Sequence, residues 1–485
     1  MTFRWSEVEV RQALGLNPQR ARAGQEFTRI WTDSRTVEPG DLFLALMGES
    51  FDGHDFVTDA LAKGASGVVV SREIPADEAT RIFPVADTLL ALGHLARHRR
   101  RAGKAKVIGV TGSSGKTTTK DLLAGTLTGS LRVHATPKNL NNRIGLPLTV
   151  LSAPDDAQVL VLEMGTNEPG EIRALTEVAE PDVGVITTVS ETHLEKLESL
   201  EGVLEEKLDL FRGQSAAGIG VVGDDPAVLP QRARPLVQDL RVAGWTDGAD
   251  QNNRPTEAEV TERGCYQFRW MGERVRMGMP GRHSVQNALL ALATAHAMGI
   301  PTKDAARRVG KVPARGMRSE IRILGGLTLL LDCYNANPQS VRAALDLLET
   351  VQVLGARVAV LGSMLELGEG SRLFHRQVLE EALARPLDLV VATGLFAEAA
   401  EWITPQARKP ELVSAPGLEE AGDLLRERLG GTEVVLLKAS RGVAMESLIP
   451  ALEDRFGHPE ERRSESPNLG TSPTGAPHLQ AGKEA

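Results

Sequence analysis

Cysteine is nearly missing from this chain: two residues of 485, Cys265 and Cys333, stand far apart and without metal-ligand spacing. That excludes a disulfide framework and a thiolate metal cage, and it suits a reducing, cytoplasmic setting. No stretch reaches the roughly 18 apolar residues of a membrane span, and the opening MTFRWSEVEV lacks the apolar centre of a signal peptide. Neither stable membrane insertion nor export is expected. Positive charge is not in excess either, since 55 Lys and Arg stand against 64 Asp and Glu, a net charge of -9. This argues against a general affinity for nucleic acid. The one basic run, HLARHRRRAGKAK (94–106), has no interleaved aromatics to stack on bases. It reads as a solvated helix and interdomain linker. There is no internal repeat.

What is present is an ordinary globular composition, 41% hydrophobic and 25% charged, at a length that implies two to four domains. Residues 1–104 carry short strand-like runs (FTRIWTDSR, DLFLALMG, SGVVVS) around a helical segment, a small α/β unit. From 105 to 312, KVIGVTG, AQVLVLEMG, DVGVITTV and GIGVVG alternate with helical patterns, as in a parallel sheet wrapped by helices. From 313 to 457 the alternation resumes with LTLLLDCYNANP, RVAVLGSM, a helix from Arg372 to Ala384, LDLVVATG and EVVLLKAS, a Rossmann-like third α/β domain. Residues 458–485 hold almost no large apolar side chains and are expected to be a disordered tail.

One segment carries chemistry by its local pattern alone. An apolar strand (106–110) runs into Thr111, Gly112, Ser113, Ser114, Gly115, Lys116, Thr117 and Thr118, where a helix begins. Glycines let backbone N–H groups turn inward around phosphate oxygens, the helix N-terminus adds positive potential, and Lys116 reaches the terminal phosphates. Thr117 is placed to offer its hydroxyl to Mg²⁺. Val110 stands where the strict GxxxxGK[ST] pattern has its first glycine.

With TGSSGKTTTK stand further motifs in order: DSR and FDGHDF, KNLNNRIGLPLTVL, EMGTNEPGEI, SETHLEKLESLEG, GRHSVQNALLA, GMRSE, DCYNANPQS, LGSMLELGEGS and KASRG. Over about residues 28–450 the chain resembles the Mur ligase family, ATP-dependent amide-forming enzymes of peptidoglycan precursor synthesis. The resemblance implies three domains: an N-terminal UDP-binding domain, a central ATPase and a C-terminal Rossmann-like ligase domain. NNxIGxPLT and YNANPxS point to the branch that adds D-alanyl-D-alanine to UDP-N-acetylmuramoyl-tripeptide through an acyl phosphate. ATP and Mg²⁺ are the implied cofactors, and the two substrates are the implied partners of a monomer.

Carried over residue by residue, the resemblance makes Lys116, Lys207 and His193 catalytic. It makes Thr117, Glu163, His193 and Lys207 metal-binding, Lys207 as a carbamate; taken alone, SLEGVLEEKLDLF presents Lys207 as a solvated helix lysine. It places Asn287, Arg318, Asp332, Tyr334, Asn335 and Asn337 on ATP beside the phosphate loop. It places Ser34, Arg35, Phe51, Asp52, Gly53 and His54 on the uridine nucleotide, and Asn139, Asn141 and Asn142 near the peptide. Arg143, Thr166, Glu168, Ser363 and Ala439 depart from the family pattern without removing a phosphate or metal group. Two alternatives stay open: the sister ligase that adds the diamino acid, whose DNPR-type motif is missing, and a phosphate-loop switch without ligase activity, for which no NKxD motif is found.

Overall fold

The computed structural model describes residues 3–48, 51–74, 81–215, 217–403 and 410–457; the expected tail, 458–485, lies outside them. Three sheets organise three α/β domains. In the first, Ile30–Trp31, Leu42–Leu44, Gly67–Val70 and Arg81–Pro84 pair in parallel, in chain order. Buried on both faces, these strands are continuous apolar runs such as GVVV, as parallel pairing requires.

The second sheet has six parallel strands in the order Asp239–Ala243, Ile219–Gly223, Val183–Ile186, Lys106–Thr111, Val159–Glu163, Val133–Ala135. Its first strand in sequence is central, with later strands added on both sides. Ligands in such sheets gather beyond the carboxyl ends, where the order reverses. There the phosphate loop, Glu163 and Thr187–Thr188 come together. The helix Lys116–Leu127 lies against the largely buried helix Arg282–Ala297. Beside this layer stands an antiparallel sheet, Thr256–Val260, Cys265–Trp270 and Glu273–Pro280, which the alternating-domain reading did not include.

The third sheet runs Glu320–Leu324, Leu327–Asp332, Val434–Lys438, Arg357–Leu361, Leu389–Ala392, Glu411–Ser414, parallel except for its first pair. The helix expected from Arg372 forms as Ser371–Leu383.

The basic run is not a solvated linker. It ends the helix Thr88–Ala102, whose start is capped by Asp87. Arg99 is buried, bonded to Asp155 at 2.7 Å and stacked on Phe3. Arg100 donates to the Ala179 carbonyl and to Asp182, and Arg97 and Arg101 both reach Glu180. These cations sit at the carboxyl end of the helix Glu171–Ala179, where unpaired carbonyls and the helix dipole favour positive charge. The run therefore clamps the first domain to the second. No helix among the described residues is long and apolar enough to cross a membrane.

Candidate active site between the central and C-terminal domains

The phosphate loop is shaped by two glycines in left-handed backbone, Gly112 (φ +146°) and Gly115 (φ +80°). A Cβ on Gly112 would stand 1.8 Å from Thr187 Oγ1, and one on Gly115 would stand 2.3 Å from Asn287 Oδ1. No side chain fits either place. Ser113 ties the loop to the next strand end, its hydroxyl donating to the Ser190 carbonyl and accepting from the Ser190 amide. Lys116 donates to the Gly112 carbonyl at 2.6 Å. Burial holds its ammonium below the ordinary lysine value, against the pull of the Glu163 charge.

Glu163 closes its strand inside the site and is buried. Its Oε1 accepts from Thr117 Oγ1 at 3.0 Å and from Asn141 Nδ2 at 2.8 Å. Its Oε2 is buried without a hydrogen-bond partner, 3.9 Å from Lys120 Nζ. A lone carboxylate oxygen beside a threonine hydroxyl is a fit for Mg²⁺, which takes one or two carboxylates and completes its shell with phosphate and water oxygens. Among the described residues no three His, Cys, Asp or Glu side chains converge on a metal position, so an all-protein cage is not what this chain offers.

Of the four expected metal groups, only Thr117 and Glu163 bond to each other. His193 lines the same cavity but pairs through Nδ1 with Glu366 of the C-terminal domain at 2.6 Å. That hydrogen bond, ahead of a smaller opposing effect of burial, lowers the pKa of Glu366. Lys207 is not a solvated helix residue: it is 1% exposed. Burial, then the charge of Lys116, pushes its amine well below the ordinary lysine range. It is not among the residues that line the cavity.

The cavity measures about 630 Å³ and is walled by the loop from Ser113 to Thr118, by Asn139, Asn141, Asn142 and Glu163, and by Asn287, Arg318, Asp332, Tyr334, Asn335 and Asn337. Thr111 and Gly112 stay behind it. Arg318 lies flat on the Tyr334 ring, 3.6 Å from the centroid. Asp332 accepts from Lys438 at 2.7 Å and from the Ser319 amide at 3.0 Å. Asn337 caps the helix Pro338–Thr350 with a capping box, and its Nδ2 also donates to Ser114 Oγ at 3.2 Å. Thr188 donates to Gln339 at 2.7 Å, so the third domain is docked on the phosphate loop. Asn287 points its Oδ1 at Thr119 and Gly115, beneath the loop.

Sequence reasoning missed Trp245, Arg282, Asp224 and Lys438, all in the wall. Arg282 stacks over Trp245 at 4.7 Å. The available signal was a tryptophan just past the strand DLRVA, at the carboxyl edge where ligands gather.

The expected uridine-nucleotide residues form no part of this cavity. Arg35 forks onto Asp33 (2.9 and 2.8 Å); this hydrogen bonding lowers the Asp33 carboxyl to about 2. Ser34 stands in the same short helical turn. His54 is buried, its Nδ1 on Asp52 at 2.6 Å and its Nε2 accepting from the Ser71 amide at 2.9 Å. A Cβ on Gly53 would lie 2.6 Å from the Leu46 carbonyl, and Phe51 is exposed.

Fold and site define a three-domain α/β protein with a phosphate-type loop enclosed between its second and third domains. Three descriptions of the Mur ligases match in succession: the "Mur ligase family, catalytic domain" over 26–100, the "Mur ligase middle domain" over 110–295 and the "Mur ligase, glutamate ligase domain" over 317–441. A UDP-N-acetylmuramoyl-tripeptide--D-alanyl-D-alanine ligase of Bacillus subtilis is 36% identical, with 87% of this chain and 92% of that protein covered. The Escherichia coli enzyme of the same name is 34% identical over 90% and 96%. The crystal structure of MurF from Acinetobacter baumannii superposes with a TM-score of 0.83 at 31% identity, covering 93% of this chain and 99% of that one. MurF ligase from Thermotoga maritima in complex with ADP gives 0.80 at 30%, over 88% and 97%. The chain belongs to the Mur ligase family and is a ligase.

Proposed function

We propose that the protein joins D-alanyl-D-alanine to UDP-N-acetylmuramoyl-tripeptide at the expense of ATP, as a monomer in the cytoplasm, with domain boundaries near 104/105 and 312/313. The observation that carries the reading is the enclosure of the phosphate loop by Arg318 and Asn337 of the third domain beside the unpartnered Glu163 oxygen. The names of the relatives, and ADP in one of them, support the choice of substrates. The two free cysteines suit the cytoplasm.

A carboxylate is no electrophile, so the γ-phosphoryl group moves from ATP to a carboxylate oxygen of the tripeptide as the bond to ADP breaks. The amine nitrogen of the dipeptide then bonds to the carbonyl carbon, phosphate leaves, and the nitrogen loses its proton. Two anions must first be held together, which requires cations arranged in advance. Lys116 and the amide-rich start of its helix hold the phosphates. Arg318, fixed on Tyr334, approaches from the other side. Thr117 and Glu163 would hold Mg²⁺, and His193 and Lys207 would serve a second cation. When bound, Mg²⁺ supplies charge neutralisation at the transferring phosphoryl group. Lys207 takes part as a carbamate: its neutral amine adds to CO₂ and releases a proton. Asn287 reaches the base from beneath the loop, with Asp332, Tyr334 and Asn335 along the nucleotide. Ser34, Arg35 and the turn Phe51–His54 hold the uridine nucleotide, and Asn139, Asn141 and Asn142 the peptide. The dipeptide-adding role is favoured over the diamino-acid one by DCYNANP, which stands in the third domain without a DNPR-type motif.

Mass spectrometry of the products formed from ATP, D-alanyl-D-alanine and a panel of UDP-muramyl tripeptides, and in a parallel reaction from ATP, a diamino acid and the UDP-muramyl dipeptide, tests the proposal. A mass gain equal to one dipeptide less water is expected; gain of a single diamino acid on a shorter acceptor, or ATP turnover without acceptor, overturns it.

A further inference from the structure

His193 and Glu366 meet where the central and C-terminal domains dock. Beside the 2.6 Å contact of their side chains, the Leu194 amide donates to the Glu366 carbonyl at 3.0 Å. Both partners are non-glycine residues in left-handed backbone, at φ +53° and +65°. Such conformations are unfavourable and persist only where the surroundings impose them; they concentrate at functional sites. The imposing contacts on the C-terminal side surround Glu366. The Met364 amide donates to His375 Nε2 at 2.9 Å, the Leu365 amide donates to Ser440 Oγ at 3.0 Å, and Leu367 is buried. The loop is thus anchored on each flank and holds one acid outward, onto a histidine of another domain. The same carboxylate is close enough for its charge to act on Lys116.

A carboxylate accepting at Nδ1 fixes the proton on that nitrogen and leaves the lone pair on Nε2, in a residue that lines the cavity. Histidines that bind metals are commonly oriented in this way by an outer carboxylate. We propose that Glu366 is a positioning residue, delivered by the third domain, that sets the tautomer and ring orientation of His193, so that the cation site is completed only when that domain is docked on the phosphate loop. This rests on the ligase reading only in taking His193 as a cation ligand.

The test measures Mn²⁺ binding to the full chain, by electron paramagnetic resonance with a non-hydrolysable ATP analogue, for wild type, Glu366→Ala, Glu366→Gln, His193→Ala and the double Ala variant. Glu366→Ala should weaken Mn²⁺ binding about tenfold or more, the usual size of an outer-carboxylate effect. Glu366→Gln, whose amide oxygen still accepts at Nδ1, should recover most of it. The double variant should be no worse than His193→Ala, because Glu366 acts through that ring. Wild-type affinity in Glu366→Ala, with His193→Ala impaired, overturns the positioning role alone. Wild-type affinity in His193→Ala overturns it together with the assignment of His193 to a cation. A further loss in the double variant shows that Glu366 acts elsewhere and also overturns it.

Discussion

The two groups of candidate residues differ in how the protein treats their polar atoms. In the N-terminal domain, Arg35 pairs with Asp33, and His54 pairs with Asp52 and the Ser71 amide. Around the phosphate loop, Glu163 Oε2 has no hydrogen-bond partner and two lysines are held below their ordinary range by burial. A buried polar atom without a partner costs stability, so Glu163 carries a penalty that Arg35, Asp52 and His54 avoid. Such a penalty is the mark of groups arranged for charge that arrives with a ligand. Satisfied groups should then answer to stability, and unsatisfied ones to turnover.

The largest effect is expected at Lys116. Lys116→Ala removes the cation proposed to hold the phosphates and should lower kcat on the order of 10²-fold or more, the usual loss for one preorganised charge of this kind. Its Tm should not fall, since a charge that folding disfavours has been removed. Near-normal turnover, or a fall in Tm, would break the contrast between the regions.

Lys207→Ala should be nearly inactive and folded, with formate or acetate restoring part of its rate by supplying the missing anion. Lys207→Arg keeps a positive charge but cannot carry the carbamate in the same way, and should be inactive too. Full activity of Lys207→Arg would remove the carbamate from the reaction.

The burial of Lys207 shows how much was legible. On its helix the buried side chains include Val203, Leu204, Lys207, Leu208 and Phe211, so Lys207 falls on the apolar stripe at i+4 from Val203 and i−4 from Phe211. The periodicity held the information; the reading as a solvated lysine followed residue type instead. The phosphate loop was legible because its turn admits only glycine at two places and its lysine must open the next helix. The three parallel-type sheets were legible from apolar runs at strand length. The hairpin strands Cys265–Trp270 and Glu273–Pro280 were not, although ERVRMGMP alternates buried and exposed positions, because a short alternating run inside an alternating α/β pattern is easily absorbed into a loop. Arg99 and Glu366 owe their roles to partners 56 and 173 residues away, and no local pattern encodes such pairings.

A smaller effect is expected at Arg35. If its fork turns from Asp33 to a diphosphate, Arg35→Ala should raise KM for the UDP substrate about tenfold, the worth of one charge-assisted interaction, with kcat unchanged. A drop in kcat at constant KM would move Arg35 into the reacting centre and erase the distinction between the regions.

At His54 the loss should fall on stability more than on binding. His54→Ala empties a buried position and takes a partner from the half-buried Ser71 amide and Asp52, at a cost of about 1–3 kcal/mol. Thermal unfolding should register it, while KM for the UDP substrate shifts less than in Arg35→Ala.

The finest test asks whether Lys207 weakens the fold that it serves, and how that depends on pH. Lys207→Met keeps the volume and removes the titrating amine. Burial lowers the amine's folded pKa well below 10.5, the ordinary value. Between that lowered value and about 10.5 the unfolded chain therefore binds a proton on Lys207 that the folded chain does not, and stability rises with pH wherever the unfolded state binds more protons. The wild type should gain stability between the lowered folded pKa and about 10.5; below that window its deficit is constant, and above it the deficit is gone. Lys207→Met has no such dependence. In CO₂-free buffer it should melt a few degrees higher than wild type at neutral pH, with the gap closing as pH rises through the window. A gap that widens with pH would mean that the amine is charged and paired in the folded protein, and that Lys207 belongs with the satisfied groups of the N-terminal domain.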